Sequence, residues 1–168
     1  TSAFMYKDDE IINAIQIPTK LTCEKANIEL NTEYPFKQQF NYKVEAKEDF
    51  KLIIRIPSFV ENLYVNGEEI IKQNKLIFDF KAGEIREINI AYKFEPQFIN
   101  RPYCLKSVKY GSLVFSLPIE AEWKMYEYEH NGVERKFPYC DYELIGKSDW
   151  NYGFSDVELS VEERGVTK

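Results

Sequence analysis

The stretch from Leu52 to Tyr92 constrains the fold more than any other part of the chain. It consists of short runs of β-branched and aromatic residues, which turn residues interrupt roughly every 8 to 12 positions, and this spacing is typical of antiparallel sandwiches and barrels. Asn66-Gly67 is the strongest local signal, because both residues tolerate the positive φ that a two-residue hairpin turn requires. The stretch contains no run of helical periodicity. The sequence therefore predicts an all-β fold.

Alternation of apolar and polar side chains predicts strands with one buried and one solvated face. Residues 40–46 alternate strictly, and residues 85–92 can place every second side chain on one face. Pro96 and Pro102 then prevent any strand ladder from continuing. We therefore expect an antiparallel β-sandwich of jelly-roll type over residues 20–98.

The segments on either side of this sandwich are assigned separately. Residues 1–19 are expected to be a linker or a short extended segment, and residues 99–168 an additional β-rich C-terminal unit, complete or partial. Apolar residues that alternate around Gly111 predict a group of strands over residues 105–120 in this unit, and a last strand is expected over residues 157–161. Gly111 predicts a bulge or a close approach of another group to the backbone.

The charge balance argues against two classes of partner. The 168 residues include 28 acidic and 22 basic side chains, which give a formal net charge of −6. A nucleic-acid-binding surface needs clustered basic side chains, so nucleic acid is not an expected partner. The sequence has no apolar run of membrane length and no polybasic segment, so no membrane association is expected. Because it begins at Thr1 rather than at a methionine, we expect the chain to be a piece of a longer protein.

The three cysteines, Cys23, Cys104 and Cys140, favour free thiols. They form no C-x-x-C pair and no cluster of histidines accompanies them, so neither a metal nor a cofactor is expected. Their odd number favours a reducing compartment, and the expected location is cytoplasmic. A nucleophilic cysteine would need a neighbouring base or a helix N-terminus, and a structural role is the favoured interpretation.

Candidate catalytic groups do not stand out from the many acidic residues. Glycoside hydrolysis needs two carboxyl groups that flank the scissile bond, and Asp141 and Glu143 would point the same way if they lie on one strand. A solvated pair on a sheet face is the favoured interpretation. His130 is the single histidine and precedes Asn131-Gly132, so we expect it at an exposed hairpin tip rather than in a catalytic triad or a metal site.

Aromatic side chains are the candidates for sugar binding, because an aromatic ring suits the apolar C–H face of a sugar. Packing in a core or an interface is the commoner alternative for such residues. The candidates for carbohydrate binding are Trp123, Tyr126, Tyr128, Trp150 and Tyr152.

Six short motifs, in order and spacing along the chain, resemble those of the glycoside hydrolase family 127 proteins. This family was long classed as a domain of unknown function and includes β-L-arabinofuranosidases. The likeness extends from about Ile28 to Phe154, with Phe59 where the family usually has Trp and Ser112 where it has Pro. The motifs are Thr32-Glu-Tyr-Pro-Phe36, Arg55-Ile-Pro-Ser58, Val65-Asn66-Gly67, Lys109-Tyr-Gly-Ser-Leu-Val-Phe115, Asp141-Tyr-Glu143 and Trp150-Asn-Tyr152.

The resemblance implies that the chemistry lies outside this chain. In that family an (α/α)6 barrel precedes the β domains and carries a zinc-linked cysteine nucleophile and a glutamate acid. This chain is too short for a barrel, and none of its cysteines matches the catalytic motifs, so no catalytic residue is assigned.

We therefore expect the non-catalytic β-sandwich region of a glycoside hydrolase, inactive in isolation, which braces the catalytic barrel of its parent chain. An exposed apolar surface should then mark the contact, and an isolated copy would pair with a second copy through it. The alternative is a carbohydrate-binding module, with a glycan as partner of the exposed aromatics.

Overall fold

The computed structural model describes residues 3–155 and 158–162, and its regular structure is almost entirely β. This confirms the all-β fold predicted from the turn spacing. The strands of the first part are β1 (Phe4–Lys7), β2 (Glu10–Asn13), β3 (Thr19–Thr22), β4 (Ala26–Thr32), β5 (Gln39–Ala46), β6 (Phe50–Arg55), β7 (Asn62–Val65), β8 (Glu68–Ile70), β9 (Lys75–Phe80) and β10 (Ile85–Lys93).

These strands form two sheets. One has four strands in the order β1-β2-β6-β9, and the other has six in the order β3-β4-β5-β10-β7-β8. Neighbouring strands run antiparallel except β2 and β6, which are parallel. Parallel neighbours need a long crossover connection, and here the chain between them forms β3, β4 and β5 of the other sheet.

The inward faces of both sheets share one apolar core, so the two sheets form a sandwich. The predicted alternation over residues 40–46 is confirmed, because every second side chain of β5 is buried. The four-stranded sheet contributes Phe4, Ile11, Leu52, Ile54, Leu76 and Phe80 to this core. The six-stranded sheet contributes Ile28, Leu30, Phe40, Tyr42, Val44, Leu63, Ile88, Ile90 and Tyr92.

The hairpin predicted at Asn66-Gly67 joins β7 to β8. Both turn residues have positive φ, 52° for Asn66 and 86° for Gly67, as a tight hairpin of this length requires. The Asn66 amide donates to the Asn89 carbonyl oxygen at 2.7 Å, and the Asn89 amide donates to Asn66 Oδ1 at 2.9 Å. The turn is thereby attached to β10 as well as to its own strands.

The N-terminal segment is part of the sandwich, since β1 and β2 extend the four-stranded sheet and Ile11 is fully buried. Asn13 is also fully buried and accepts a 2.7 Å hydrogen bond from the Tyr42 hydroxyl at its Oδ1. Its Nδ2 donates to the carbonyl oxygens of Ala3 and Ile15, both at 3.1 Å. Burial raises the pKa of Tyr42 well above its usual value, so this hydroxyl remains a donor at physiological pH.

The second part of the chain forms smaller sheets. A three-stranded sheet contains β11 (Gln97–Asn100), β12 (Lys106–Tyr110) and β13 (Leu113–Val114), with a single 3₁₀ turn at Pro102–Cys104. One two-stranded ribbon pairs β14 (Ala121–Tyr126) with β17 (Asp141–Gly146), and a second pairs β15 (Tyr128–His130) with β16 (Val133–Arg135). The described residues contain no helix with the length and apolar character that crossing a bilayer requires.

Two strand predictions in this part differ from the structure. Of the strand group predicted over residues 105–120, β12 and β13 are present, but residues 115–120 carry no regular structure. Among the described residues no further strand pairs with this segment, and Pro118 has no N–H to donate. Of the strand predicted over 157–161, Val157 lies outside the described residues and 158–161 carry no regular structure.

Gly111 brings the second part of the chain against the sandwich. It has φ 58°, and a Cβ at this position would lie 2.6 Å from Cζ of Phe94. Phe94 is itself fixed between the rings of Phe59 and Tyr110, at centroid distances of 5.0 and 4.6 Å. The close approach predicted from the sequence at this glycine is therefore confirmed.

Two buried tyrosines give a matched test of the hydrogen bond to Asn13. Tyr42→Phe leaves a buried acceptor unpaired, so the free energy of unfolding should fall by about 1–2 kcal/mol. The Tyr92 hydroxyl is buried and has no partner among the described residues, so Tyr92→Phe should leave stability unchanged or raise it by up to about 1 kcal/mol. Urea denaturation followed by far-UV circular dichroism measures both, and equal losses would contradict a role for this bond in holding β2.

Gly111→Ala should destabilise the protein more than Gly83→Ala. Both glycines have positive φ, but nothing lies within 4 Å of a Cβ at Gly83. Gly83→Ala therefore measures backbone strain alone, about 1–2 kcal/mol, whereas Gly111→Ala should cost about 1–3 kcal/mol more through overpacking against Phe94. Equal midpoints of urea denaturation for the two variants would show that the ring of Phe94 moves away at no cost.

Candidate functional site

Asp141 and Glu143 lie on the same face of the β14–β17 ribbon, as their spacing predicted. Both are exposed, and each accepts a hydrogen bond from a tyrosine. The Tyr126 hydroxyl donates to Glu143 at 2.9 Å, and the Tyr128 hydroxyl donates to Asp141 at 3.3 Å. The bond to Glu143 raises the pKa of Tyr126. The two carboxyl groups thus tie neighbouring strands together on one open face and do not flank a position for a glycosidic bond.

The five candidate aromatics are exposed but do not form one platform. Trp123 and Tyr126 are three positions apart on β14, so they project from opposite faces of the ribbon. Trp123 packs edge-to-face on Tyr142 with ring centroids 6.0 Å apart, and Tyr128 lies on the neighbouring ribbon. Trp150 and Tyr152 line one groove together.

Trp150 and Tyr152 line a groove of about 480 Å3 in the second part of the chain. They are 73% and 69% exposed, which leaves most of each ring free for a ligand or a partner. Phe115, Leu117 and Pro118 form part of the groove, so its surface is largely apolar. The groove uses apolar residues of the segment that the sequence had predicted as a continuing strand.

His130 ends β15 at the hairpin formed with β16, and Asn131 and Gly132 have φ of 51° and 73°. The side chain is exposed, as predicted for a hairpin tip. No group of three or more histidine, cysteine or acidic side chains that could hold a metal ion occurs among residues 3–155 and 158–162.

The three cysteines are free thiols in different environments. Cys23 is half-buried and donates to the Ala26 carbonyl oxygen at 3.3 Å, Cys104 is exposed and Cys140 is buried. Burial and then a hydrogen bond with Cys23 raise the pKa of Tyr6 to about 12. A hydrogen bond with Cys140 raises the pKa of Tyr142. Two of the thiols therefore contact phenols, which do not activate a cysteine as a general base would.

The outward face of the four-stranded sheet carries an apolar row that the sequence analysis did not identify. Met5 pairs with Ile12, Ile12 with Ile53, and Ile53 with Ile77, so the row crosses all four strands. Met5 and Ile77 are about half exposed, at 51% and 49%. Three consecutive apolar residues in β6, Leu52-Ile53-Ile54, were the available signal, because such a run indicates a strand that is covered on both faces.

Charged side chains border this apolar row. On one side Lys7, Glu10, Lys51 and Asp79 form the next row across the same four strands. On the other side Arg55 pairs with Lys75. An apolar centre with a charged rim is the usual composition of a surface that another folded body covers.

No family model and no curated protein sequence matches this chain. Solved structures do match. The chain superposes over 92% of its length on a GH127 β-L-arabinofuranosidase from Geobacillus stearothermophilus T6, with a TM-score of 0.50 and 15% identity, and covers 30% of that protein. A second structure, described as a glycoside hydrolase, matches over 92% of this chain and 32% of that protein, with a TM-score of 0.53 and 15% identity.

A third match is a GH127 β-arabinofuranosidase, with a TM-score of 0.52 and 13% identity over 86% of this chain and 29% of the other. At such identities the likeness is one of fold. The chain therefore has the fold of a region that makes up about a third of these glycoside hydrolases. The resemblance to family 127 that the sequence motifs indicated is confirmed at that level.

Proposed function

We propose that this chain is the non-catalytic β-sandwich region of a glycoside hydrolase, and that it braces an (α/α)6 catalytic barrel in the rest of the parent chain. The matched glycoside hydrolases are about three times longer than the region that this chain covers. Two of those structures are named as arabinofuranosidases. We propose hydrolysis of L-arabinofuranosides only as an activity of the whole parent protein, not of this chain.

The apolar row of Met5, Ile12, Ile53 and Ile77 is the observation that carries this proposal. It lies outside the sandwich core, where a sheet face that remained in water would favour polar side chains. Its charged border matches the rim of a protein interface. Ile53 is already buried, at 7% exposure, so a large folded partner such as the barrel would remove from water chiefly Met5 and Ile77, the half-exposed ends of the row. Burial of the exposed half of Ile77 would contribute about 1 kcal/mol.

The arrangement of the acidic residues supports a chemistry located elsewhere. Asp141 and Glu143 lie on an open face and are held by tyrosine hydroxyls. A retaining or inverting glycosidase instead places one carboxyl group on each side of the bond to be cut.

Two further parts of the proposal concern the oligomeric state of the isolated chain and its cellular location. An isolated copy would cover its apolar row by pairing with a second copy, because a two-fold contact buries the same row on both partners. A cytoplasmic location is consistent with three free cysteines, of which one is exposed.

Ile77→Lys should weaken the self-association of the isolated chain, and Ile85→Lys should not. Ile85 is a matched control, because it is 66% exposed and lies on the outward face of the other sheet, paired with Glu45. The lysine at position 77 should raise the dissociation constant at least tenfold, since burial of the exposed half of Ile77 is worth about 1 kcal/mol on each of the two copies. Sedimentation velocity over a range of protein concentrations measures this constant.

Equal behaviour of the two lysine variants would contradict the assignment of this face as the contact. In the full-length parent, Ile77→Lys should also lower the melting temperature of the barrel, whereas Ile85→Lys leaves it unchanged. Hydrolysis of an aryl L-arabinofuranoside by the isolated chain, lost in Glu143→Gln, would show instead that the chain has its own active site.

The second candidate function is a carbohydrate-binding module, and the groove at Trp150 and Tyr152 favours it. Two largely exposed rings beside Phe115 and Leu117 offer apolar surface on which a sugar ring can stack. Trp123, Tyr126 and Tyr128 remain part of this proposal as separate contacts on the ribbons.

Trp150→Ala should weaken glycan binding strongly if the groove is the binding site. Truncation of a stacking aromatic removes about 1–3 kcal/mol of binding, as base stacking on aromatic rings indicates, so the affinity should fall by about tenfold or more. Phe137→Ala is the control, because Phe137 lies outside the groove, belongs to none of the proposed contacts and is similarly exposed, at 72%. Isothermal titration calorimetry with arabino- and galacto-oligosaccharides measures both, and equal affinities for the two variants would exclude the groove.

A further inference from the structure

Asparagines form a row across the outward face of the six-stranded sheet. Asn31 on β4 pairs with Asn41 on β5, and Asn41 pairs with Asn89 on β10. Asn66 continues the row at the β7–β8 turn through its two hydrogen bonds with Asn89. We call these four residues the asparagine row. Their neighbours along each strand face the core, so the row lies on the face directed away from it.

The composition of this row is not explained by sheet stability. Asparagine is depleted in strands, because its side chain competes for local backbone hydrogen bonds and packs little apolar surface. Here asparagines occupy β5 and β10, which are the central strands of the sheet, at positions where β-branched residues are favoured. Departures from local preference of this kind are expected where a surface has a function.

The amides of this row are available to a ligand. The side chains of Asn41, Asn89 and Gln39 make no hydrogen bond within the part of the chain that the structure describes, and all three are exposed. Asn31 makes one long contact of 3.4 Å, from its Nδ2 to Glu29. Each free amide offers one acceptor oxygen and an NH2 donor. Neighbouring amides therefore present donors and acceptors side by side, which is the pattern that adjacent hydroxyl groups satisfy.

The face is hollowed around these amides. Two shallow depressions, of about 310 and 390 Å3, share Gln39 and Asn41. Ala91 lies between Gln39 and Tyr64 in the next row of the sheet, and its small side chain leaves the space open. A chain-like ligand can therefore lie across several strands.

Tyr64 forms a wall at the β7 side of the second depression. Its hydroxyl donates to Glu69 at 3.4 Å, and Lys93 Nζ lies 4.8 Å from the ring centroid. Asn62 Nδ2 donates to the other oxygen of Glu69 at 2.7 Å. The ring is thus held in place beside the free amides, and it adds apolar surface next to hydrogen-bonding groups. This combination is typical of a small-ligand site.

The charges around the asparagine row indicate a neutral ligand. The adjacent row alternates in sign across four strands, from Lys20 to Glu29, Lys43 and Glu87. Lys20 forms an ion pair with Glu29 at 3.1 Å. Because cations and anions compensate each other, this face has no excess of either sign to attract a phosphate or an acidic polymer.

We propose that the asparagine row, together with Gln39 and Tyr64, binds a neutral oligosaccharide that lies across the strands. Strands are about 4.8 Å apart, so the amides repeat at a distance comparable with the length of one sugar ring. Successive sugars can then place their vicinal hydroxyls on successive amides. This inference is independent of the brace function, because it concerns the opposite face of the sandwich.

The experiment is a titration of the ¹⁵N-labelled chain with arabinotriose, galactotriose and xylotriose, each to about 10 mM, followed by amide chemical shifts. We expect at least one trisaccharide to bind with a dissociation constant of about millimolar or tighter, with shifts concentrated on β4, β5 and β10. The affinity should be the same at low and high salt, because a neutral ligand has no charge to screen.

The Asn41→Ala/Asn89→Ala double variant should bind at least tenfold more weakly, because it removes the central amides. Both residues are exposed and lack side-chain partners, so the double variant should have the same melting temperature as the unsubstituted chain. Asn74→Ala is the control, an exposed asparagine just before β9 of the other sheet, and it should bind normally. The inference is overturned if no trisaccharide binds, if the double variant binds normally, or if Trp150→Ala alone abolishes binding.

Discussion

The core between the two sheets determines what every other surface of this chain can do. Large side chains from both sheets fill it, with β5 and β10 burying every second residue along much of their length. Since successive residues of a strand point to opposite faces, fixing the inward set also fixes the outward set. The apolar row on one sheet and the asparagine row on the other are therefore direct consequences of the register that the core enforces.

Local features of the fold could be predicted from the sequence. The hairpin at Asn66-Gly67 depends on the φ angles of two adjacent residues, and the alternation in residues 40–46 depends only on the period of a strand. Gly111 was also predicted as a point of close approach, although not its partner Phe94, which lies 17 positions earlier in the chain. Each of these features depends on the conformation of only a few neighbouring residues, and the tertiary contacts of this fold preserve those local conformations.

Features that depend on pairing between distant strands could not be predicted in the same way. The apolar row requires Met5, Ile12, Ile53 and Ile77 to align, and the parallel pairing of β2 with β6 that aligns them leaves no local signal. The candidate aromatics show the same limit, because Trp123 and Tyr126 look like neighbours in the sequence and lie on opposite faces of a ribbon. The Trp150 and Tyr152 groove depends on residues 115–118, whose alternation alone predicted a strand.

The two outward faces of the sandwich differ so much in chemistry that one function does not account for both. Packed sheets are about 10 Å apart, so a body that covers the apolar row of the four-stranded sheet leaves the asparagine row of the other sheet in water. A brace needs only the first face, and its partner must exclude water from Met5 and Ile77, the exposed members of the row. The second face has compensated charges and unpaired amides, which would weaken a dry protein interface because buried amides require partners. The proposed oligosaccharide supplies its own donors and acceptors to these amides, and the proposed contact of the four-stranded sheet with a barrel would leave its face accessible.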